Sequence, residues 1–585
     1  LIFINCKSKQ NRGLDPYSFF IMKRAGKVVL SIITCLYASL CFCQNIYKDV
    51  TEDSGIDHIY NVYQGLFGGG VSVIDFNNDG LDDLYVTGGE SNDKLYKNIG
   101  DGRFKDISIN AGIRKKNHVI TTGVTSADIN KDGLVDIFVT TFASDQLNGI
   151  IVINDGKIRG VSSNILYINN GDETFTDSTL DYNLQKENFS TSASFGDINA
   201  DGYPDLFVAN YFENFNGNLG NMNHFTINND YRPELDELYL NINGKYFKNI
   251  SELLVGCERG YGFGAVFSDI DNDNDLDIYI VNDFGENNQP NQLLINQHPK
   301  QGFINKSDKL KMSFGMKAMG IAVGDYNNDQ LQDLHISNIF AGPFIVNRGK
   351  NNPFINLSSN IGTGFNALPD DTDSPTTVVG WGTIFIDYDN DADLDLFNSN
   401  GPINPPIEFI PNVLFENKGR VFEIKENSGV MDYGIGRGSV SFDYDNDGDL
   451  DLFVVNQRPV YDLSSRGGAV KSKLYKNISK NDNNWLKIKL NGISSTTRGL
   501  GARVKVVCGN LNLIREVDGG SSHASQNSSI LHFGLAKNKI IDSLIITWPG
   551  GKMQYVLNQT PNCLLEMQEK TLKEKTFFQK IFDFF

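Results

Sequence analysis

The chain has 585 residues, 40% of them hydrophobic, with 57 Gly and 23 Tyr, and a formal charge of -19. That composition suits a loop-rich globular β protein and excludes a disordered one. Without the +5 of residues 1–43 the remainder stands at -24, which argues against nucleic acid or an anionic membrane as partner, since both demand clustered Lys and Arg.

In chain order, Met22 to Lys27 is a basic segment and Val28 to Cys43 a 16-residue apolar stretch. That is short for a membrane span and matches a secretory signal. Cleavage is expected near Cys43–Gln44, with residues 1–21 lying before a plausible start at Met22. The alternatives are an uncleaved anchor or a lipid on Cys41, which Leu40 disfavours. Export or association with the cell surface or outer membrane follows. Of seven cysteines, Cys6, Cys35, Cys41 and Cys43 fall in this segment. Cys257, Cys508 and Cys563 remain, enough for one disulfide at most, expected between Cys508 and Cys563.

From Asp75 onward the chain repeats an acidic nine-residue loop, Asp-x-Asp/Asn-x-Asp-Gly-x-x-Asp, seven times, at spacings of 53, 69, 72, 56, 62 and 56 residues. Each copy lies between a Gly-bearing apolar strand and a second apolar strand, as in GGGVSVID and DLYVT. A Leu-Tyr-x-Asn strand, a Gly or Asn turn and a Phe-x-Asp/Asn strand then follow. This pattern predicts β-hairpins throughout and four short strands per repeat. The seventh copy lacks its closing Phe-x-Asp strand. Tyr47-Lys-Asp-Val50 at the other end supplies the match, so the N-terminal strand is expected to complete the last unit and close a ring without free edges. The fold class is all-β, a seven-bladed β-propeller over residues 44–480. Residues 479–484 read as a linker and 484–570 as a small C-terminal β domain with strands in WLKIKLNG, GARVKVVCG, LIREVDGG, SILHFGL and DSLIITWPGG. Residues 571–585, basic then aromatic, read as a tail.

Several carboxylates within nine residues answer no packing need but suit Ca²⁺, which takes about six to eight oxygen ligands. In loop 1 the expected ligands are Asp75, Asn77, Asp79 and Asp83, with the carbonyl of Leu81. The corresponding sets are Asp128, Asn130, Asp132, Leu134 and Asp136 in loop 2, and Asp197, Asn199, Asp201, Tyr203 and Asp205 in loop 3. Loop 4 offers Asp269, Asp271, Asp273, Asp275 and Asp277, and loop 5 Asp325, Asn327, Asp329, Leu331 and Asp333. Loop 6 offers Asp387, Asp389, Asp391, Asp393 and Asp395, and loop 7 Asp443, Asp445, Asp447, Asp449 and Asp451. An EF-hand would instead need Glu at position 12 and flanking helices. Gln330 and Ala392 replace the Gly of the sixth position, where a left-handed turn costs them more, so loops 5 and 6 are expected to bind more weakly.

Loops tying two strands of every unit read as structural staples. Catalytic metal needs an open position beside reactive groups, and the sequence offers no His pair, nucleophile elbow or phosphate loop. No catalytic residue is assigned. His523, in GGSSHASQNSS, is the best reactive candidate but reads better as a surface or turn histidine.

The repeats resemble FG-GAP/VCBS repeats, the Ca²⁺-binding blades of integrin-α-like propellers, and Gly262-Phe-Gly-Ala265 echoes the naming motif. The C-terminal segment resembles the ASPIC/UnbV domain in Arg498–Arg503, Arg515–Val517, Gly519–Ser521, Ser525–Asn527, Leu531–Gly534 and Trp548–Gly550. The resemblance implies an exported protein holding up to seven Ca²⁺, mainly structural, that binds or adheres to an extracellular glycan or protein and is not an enzyme. Recognition is expected in the insertions Ala143–Ser163, Tyr211–Pro233, Phe340–Thr377 and Pro402–Pro411, since variable loops on a rigid scaffold collect binding residues. The alternatives are a hydrolase or lyase acting on an extracellular polysaccharide, and a purely structural surface protein.

Overall fold

Each repeat folds as its alternation of apolar and polar residues dictates, into an antiparallel sheet of short strands. The computed structural model describes residues 45–62, 68–113, 119–141, 162–215, 231–350, 352–364, 367–368, 376–402, 410–458 and 471–570. The segment 1–43, the tail 571–585 and most of the insertions Ala143–Ser163, Tyr211–Pro233 and Pro402–Pro411 lie outside these, whereas Phe340–Thr377, expected as an insertion, supplies the strands Phe344–Val346 and Ile355–Asn356 of one propeller sheet. In the first sheet the strands Val71–Ile74, Asp83–Val86, Lys94–Asn98 and Phe104–Asp106 pair in that order. Six further sheets repeat this order among the described residues, one of them with a short extra strand, Leu254–Val255. Their first strands pack side by side in a closed ring, Gly436–Phe442 of the last against Val71–Ile74 of the first. The chain is a β-propeller. Tyr47–Asp49 closes it as predicted, with Tyr47 opposite Asn477 and Asp49 opposite Tyr475.

The asparagine ending each Leu-Tyr-x-Asn strand joins the sheets to one another. Its backbone N–H donates to the ninth-position aspartate of its own loop, as Asn98 does to Asp83 Oδ1 at 2.7 Å and Asn477 to Asp451 Oδ1 at 2.7 Å. Its side-chain amide donates to the second residue of the preceding unit's loop. Asn98 reaches Tyr444, Asn169 Phe76, Asn241 Ile129, Asn296 Ile198, Asn347 Ile270, Asn417 Tyr326 and Asn477 Tyr388. All seven junctions therefore carry the same latch. Asn477→Ala should cost about 1–3 kcal/mol, because it strands the buried carbonyl of Tyr388, whereas the Leu450 carbonyl keeps the Tyr47 hydroxyl. Urea unfolding measures this, with the exposed Asn481→Ala as the near-neutral reference. Equal midpoints for the two variants would remove the latch as a source of stability.

The C-terminal strands form two sheets. One orders Leu531–Gly534, Trp485–Asn491 and Leu564–Gln568; the other orders Leu511–Glu516, Arg503–Cys508, Ile541–Thr547 and Met553–Gln559. Their apolar residues share one buried cluster with Phe138, Phe195, Leu206 and Val208 of the propeller, so this domain is docked and not tethered. The expected Cys508–Cys563 disulfide is not formed: both thiols are free. Cys508 ends a strand of the four-stranded sheet, whereas Cys563 precedes Leu564–Gln568 of the other sheet and donates to the Thr560 carbonyl.

Between Leu511–Glu516 and Leu531–Gly534 the chain enters the centre of the ring. Residues 519–527 pair with the innermost strands, several of which carry a register irregularity that frees backbone groups. Val124 N donates to Ala524 O, Phe195 N to Gly519 O, and Ile321 and Ser522 exchange two bonds. Gln526 Oε1 accepts from Ser126 N at 2.7 Å and from the Ser72 and Ser126 hydroxyls. His523 is no surface residue. It is 1% exposed, donates from Nδ1 to Met319 O, and packs against Phe263 and Trp381. The small residues around it let the segment fit the axis, a use of Gly and Ser that turn rules do not anticipate.

Burial holds His58 and His335, each set between neighbouring sheets, and the axial His523 neutral, with pKa values pushed down to about 4, about 3 and about 4. The unfolded chain, at about 6.5, binds these protons first. Stability is therefore complete above pH 6.5 and lost as pH falls toward 4, by about 2 kcal/mol per histidine at pH 5. Urea midpoints in saturating calcium should fall between pH 7 and pH 5, and H58Q with H335Q should flatten that fall. A flat profile in the unsubstituted protein contradicts it.

Candidate metal centre

The seven acidic loops share one backbone. Residues at the fourth position (Asn78, Lys131, Ala200, Asn272, Asn328, Asn390 and Asn446) have φ between +57° and +63°, and those at the sixth between +71° and +92°. Gln330 and Ala392 adopt this turn at +72° and +79°, so both loops are built like the others at some conformational cost. In loops 2 to 7 the first aspartate accepts the backbone N–H groups of the fifth and sixth residues. Asp443, for example, takes Asp447 N and Gly448 N, each at 3.0 Å. The third residue bends back to the fifth in loops 1 to 3, where Asn77, Asn130 and Asn199 donate to Asp79, Asp132 and Asp201. The ninth aspartate is buried in the latch described above.

Three loops bring carboxylate oxygens within 4.8 Å of one another: Asp269, Asp271 and Asp273; Asp387, Asp389 and Asp395; Asp443, Asp445 and Asp451. In loops 1, 2, 3 and 5 asparagine takes the third position (Asn77, Asn130, Asn199 and Asn327), and no such trio of carboxylates forms there among the described residues. Asp391, Asp393, Asp447 and Asp449 stand beside these trios. Position seven (Leu81, Leu134, Tyr203, Asp275, Leu331) contributes through its backbone carbonyl in the predicted scheme.

The electrostatics call for a cation. Burial pushes Asp83 up to about 9 and Asp136 to about 8, with neighbouring loop aspartates adding to the shift. Asp205, Asp277, Asp333, Asp395 and Asp451 are driven well above the carboxylate range for the same reason. Oxygens of Asp75, Asp271, Asp273, Asp275, Asp333, Asp389 and Asp445 are buried without a hydrogen-bond partner. Buried carboxylates in this state cost several kcal/mol each unless paired or bound to metal. An all-oxygen donor set of carboxylates, amides and carbonyls fits a hard divalent cation.

The C-terminal domain presses cations against the same loops, which sequence reasoning missed. Lys487 and Lys489 alternate along Trp485–Asn491 and reach adjacent units, Lys487 Nζ to Asp443 Oδ2 at 2.7 Å and Lys489 Nζ to Asp75 Oδ2 at 3.1 Å. Arg503 meets Asp269 at 3.3 Å and Glu516 at 2.9 Å, and Lys505, two residues on, meets Gln330 at 2.5 Å. The period-two spacing of Lys-Ile-Lys and Arg-Val-Lys was the available signal. A cavity of about 160 Å³ lies beneath this domain, lined by Asp82, Gln332, Arg515 and His532 among others.

Two family matches cover parts of the chain: FG-GAP-like repeat over residues 75–139, 142–208 and 269–336, and ASPIC and UnbV over residues 492–574. Cartilage acidic protein 1 of Xenopus tropicalis is 27% identical over 529 residues, covering 83% of this chain and 70% of the relative. The Mus musculus protein of the same name is 24% identical, covering 85% and 73%. Among solved structures, an Agrocybe aegerita lectin recognising non-reducing terminal N-acetylglucosamine aligns at 14% identity and a TM-score of 0.36, over 67% of this chain and 86% of its own. Rhamnogalacturonan lyase YesW aligns at 11% and 0.35, over 71% and 72%. The chain thus carries FG-GAP-like repeats followed by an ASPIC and UnbV domain, and is a relative of cartilage acidic protein 1.

Proposed function

We propose that this is an exported, Ca²⁺-loaded propeller that works as a binding or adhesion module for an extracellular glycan or protein. One observation carries the reading: the two faces of the ring are not equivalent. The acidic loops link first to second strands at one face, and the C-terminal domain covers that face. Connections from second to third strands and from fourth to next first strands lie at the other. The described residues flanking the insertions, Thr141 and Ser162, Phe215 and Tyr231, Pro402 and Ile410, belong to that open end. So do three exposed large apolar side chains, Leu235, Phe340 and Tyr433. Rings and amides on a rigid scaffold suit sugar stacking or protein contact.

Among the described residues the side chains of four histidines, His58, His335, His523 and His532, bond to backbone carbonyls or hydroxyls, and the cavity of about 160 Å³ beneath the C-terminal domain has no room for a polymer. Both points favour binding over hydrolysis. A glycan array and an extracellular-protein screen with the full chain test this. Binding that is lost in a Phe340→Ser, Leu235→Ser variant of unchanged melting temperature is the expected result. Binding that survives the variant moves recognition off this face, and depolymerisation of a polysaccharide replaces the reading with an enzymatic one.

A further inference from the structure

Loop 7 differs from the other six in what surrounds its carboxylates. Lys487 Nζ lies 2.7 Å from Asp443 Oδ2 and 2.6 Å from Asn446 Oδ1, with the paired side chains only 5% and 2% exposed. Lys476 Nζ bonds Asp445 and lies 3.2 Å from Asp447 Oδ2. The first, third and fifth ligand positions of this loop thus each face an ammonium group of the chain itself. Lys476 is held in place by its neighbour, the latch residue Asn477. The residues preceding the latch elsewhere are Lys97, Ile168, Leu240, Ile295, Val346 and Glu416. Of these only Lys97 is cationic, and it pairs with Glu173 instead. Loops 1 and 4 hold one such contact each, through Lys489 and Arg503. In loops 2, 3, 5 and 6 no aspartate at these positions forms an ion pair with a Lys or Arg among the described residues, although the buried Arg515 acts on Asp325 and Asp387 from beyond ion-pair range.

We propose that loop 7 is compensated from within, so that it binds Ca²⁺ more weakly than loops 2, 3, 5 and 6 and leaves ring closure independent of metal. The inference rests on the calcium reading above and ranks the loops within it. A Ca²⁺ ion entering loop 7 must displace or approach Lys476 and face Lys487 across Asp443, and each positive charge at such range opposes it. The placement has a structural consequence. Loop 7 belongs to the sheet that Tyr47–Asp49 completes, so the loop at the junction joining the two ends of the ring is the one that pairs with two ammonium groups of the chain rather than one or none. At calcium levels that empty it, this junction keeps two ammonium groups against the five aspartates of its loop and stays partly compensated. The order differs from that expected from Gln330 and Ala392, because it is set by neighbouring charge and not by turn strain.

Calcium titration of the full chain against a chromophoric chelator separates the possibilities. The expected result is at least one site about tenfold weaker than the rest, which Lys476→Met tightens by about tenfold while leaving the others unchanged. A second measurement is independent of that variant. After passage through a buffer that strips weak sites, Asp443→Asn retains as many Ca²⁺ ions, counted by metal analysis, as the unsubstituted protein, whereas Asp197→Asn retains one fewer. A loss of one ion in Asp443→Asn, or a Lys476→Met titration identical to the parent, overturns the proposal and leaves the calcium reading intact. Absence of calcium binding at every site overturns that reading itself.

Discussion

Excess EGTA lowers the melting temperature of the full chain by at least about 15 °C, and readdition of Ca²⁺ restores it. The size follows from linkage. A ligand bound only by the folded state at about 100 times its Kd adds about 2.7 kcal/mol per site. Three or four loops at that occupancy match the entire stability of a typical protein, about 5–15 kcal/mol. The metal-free state meanwhile keeps aspartates such as Asp83 and Asp136 buried without a counter-charge, a cost it lowers by taking up protons or by opening the loops. Opening is not local. The ninth aspartate of each loop accepts the latch asparagine's N–H, and the latch side chain grips the preceding unit, so a loosened loop frees a junction on either side. Scanning calorimetry with EGTA, with Ca²⁺ and with Mg²⁺ makes the measurement. Mg²⁺ should substitute poorly, because it demands a tight octahedron at about 2.0–2.1 Å. A melting curve indifferent to EGTA removes Ca²⁺ from the account.

Most of this framework was legible in the sequence because it repeats. The hairpin around each loop, the latch asparagine of Leu-Tyr-x-Asn and the displaced strand Tyr47–Asp49 all recur in phase, so each copy interprets the others. What stayed hidden occurs once and acts at long range. Residues 519–527 look like a turn because Gly519, Gly520, Ser521 and Ser522 carry no periodicity; their partners, Phe195, Ile321 and Val124, lie hundreds of residues away. His523 was misplaced for the same reason. A lone histidine among small residues reads as surface until Phe263 and Trp381 are known to enclose it. The ion pairs of Lys487, Lys489 and Arg503 left a trace, cations alternating with apolar residues along two strands. That trace also describes any half-exposed strand, and only docking gives it a partner.

Gly519→Ala should release the C-terminal domain from the propeller. A Cβ at Gly519 would stand 1.8 Å from the Phe195 carbonyl oxygen and 2.8 Å from its carbon, and that oxygen belongs to an inner strand bonded into its sheet, so it cannot give way. The same residue's carbonyl accepts Phe195 N at 2.9 Å and the Thr125 hydroxyl at 2.6 Å, bonds that hold only while the two backbones touch. With position 519 displaced, the bonds of Ser522 and Ala524 to the inner strands cannot all form. Gln526 loses its place against Ser72 and Ser126. Stranding even a few of these buried groups costs about 1–3 kcal/mol apiece, more than the docked arrangement can absorb. The expected variant melts in two steps and is cleaved by protease within residues 479–484, where the undisturbed protein is resistant. Gly264→Ala is the matched control, because the nearest atoms to its Cβ lie at 3.4 Å or beyond, an ordinary contact. If Gly519→Ala melts and resists protease as Gly264→Ala does, the axial segment does not hold the domains together, and the shared apolar cluster with the ion pairs to Asp75, Asp269 and Asp443 must do so.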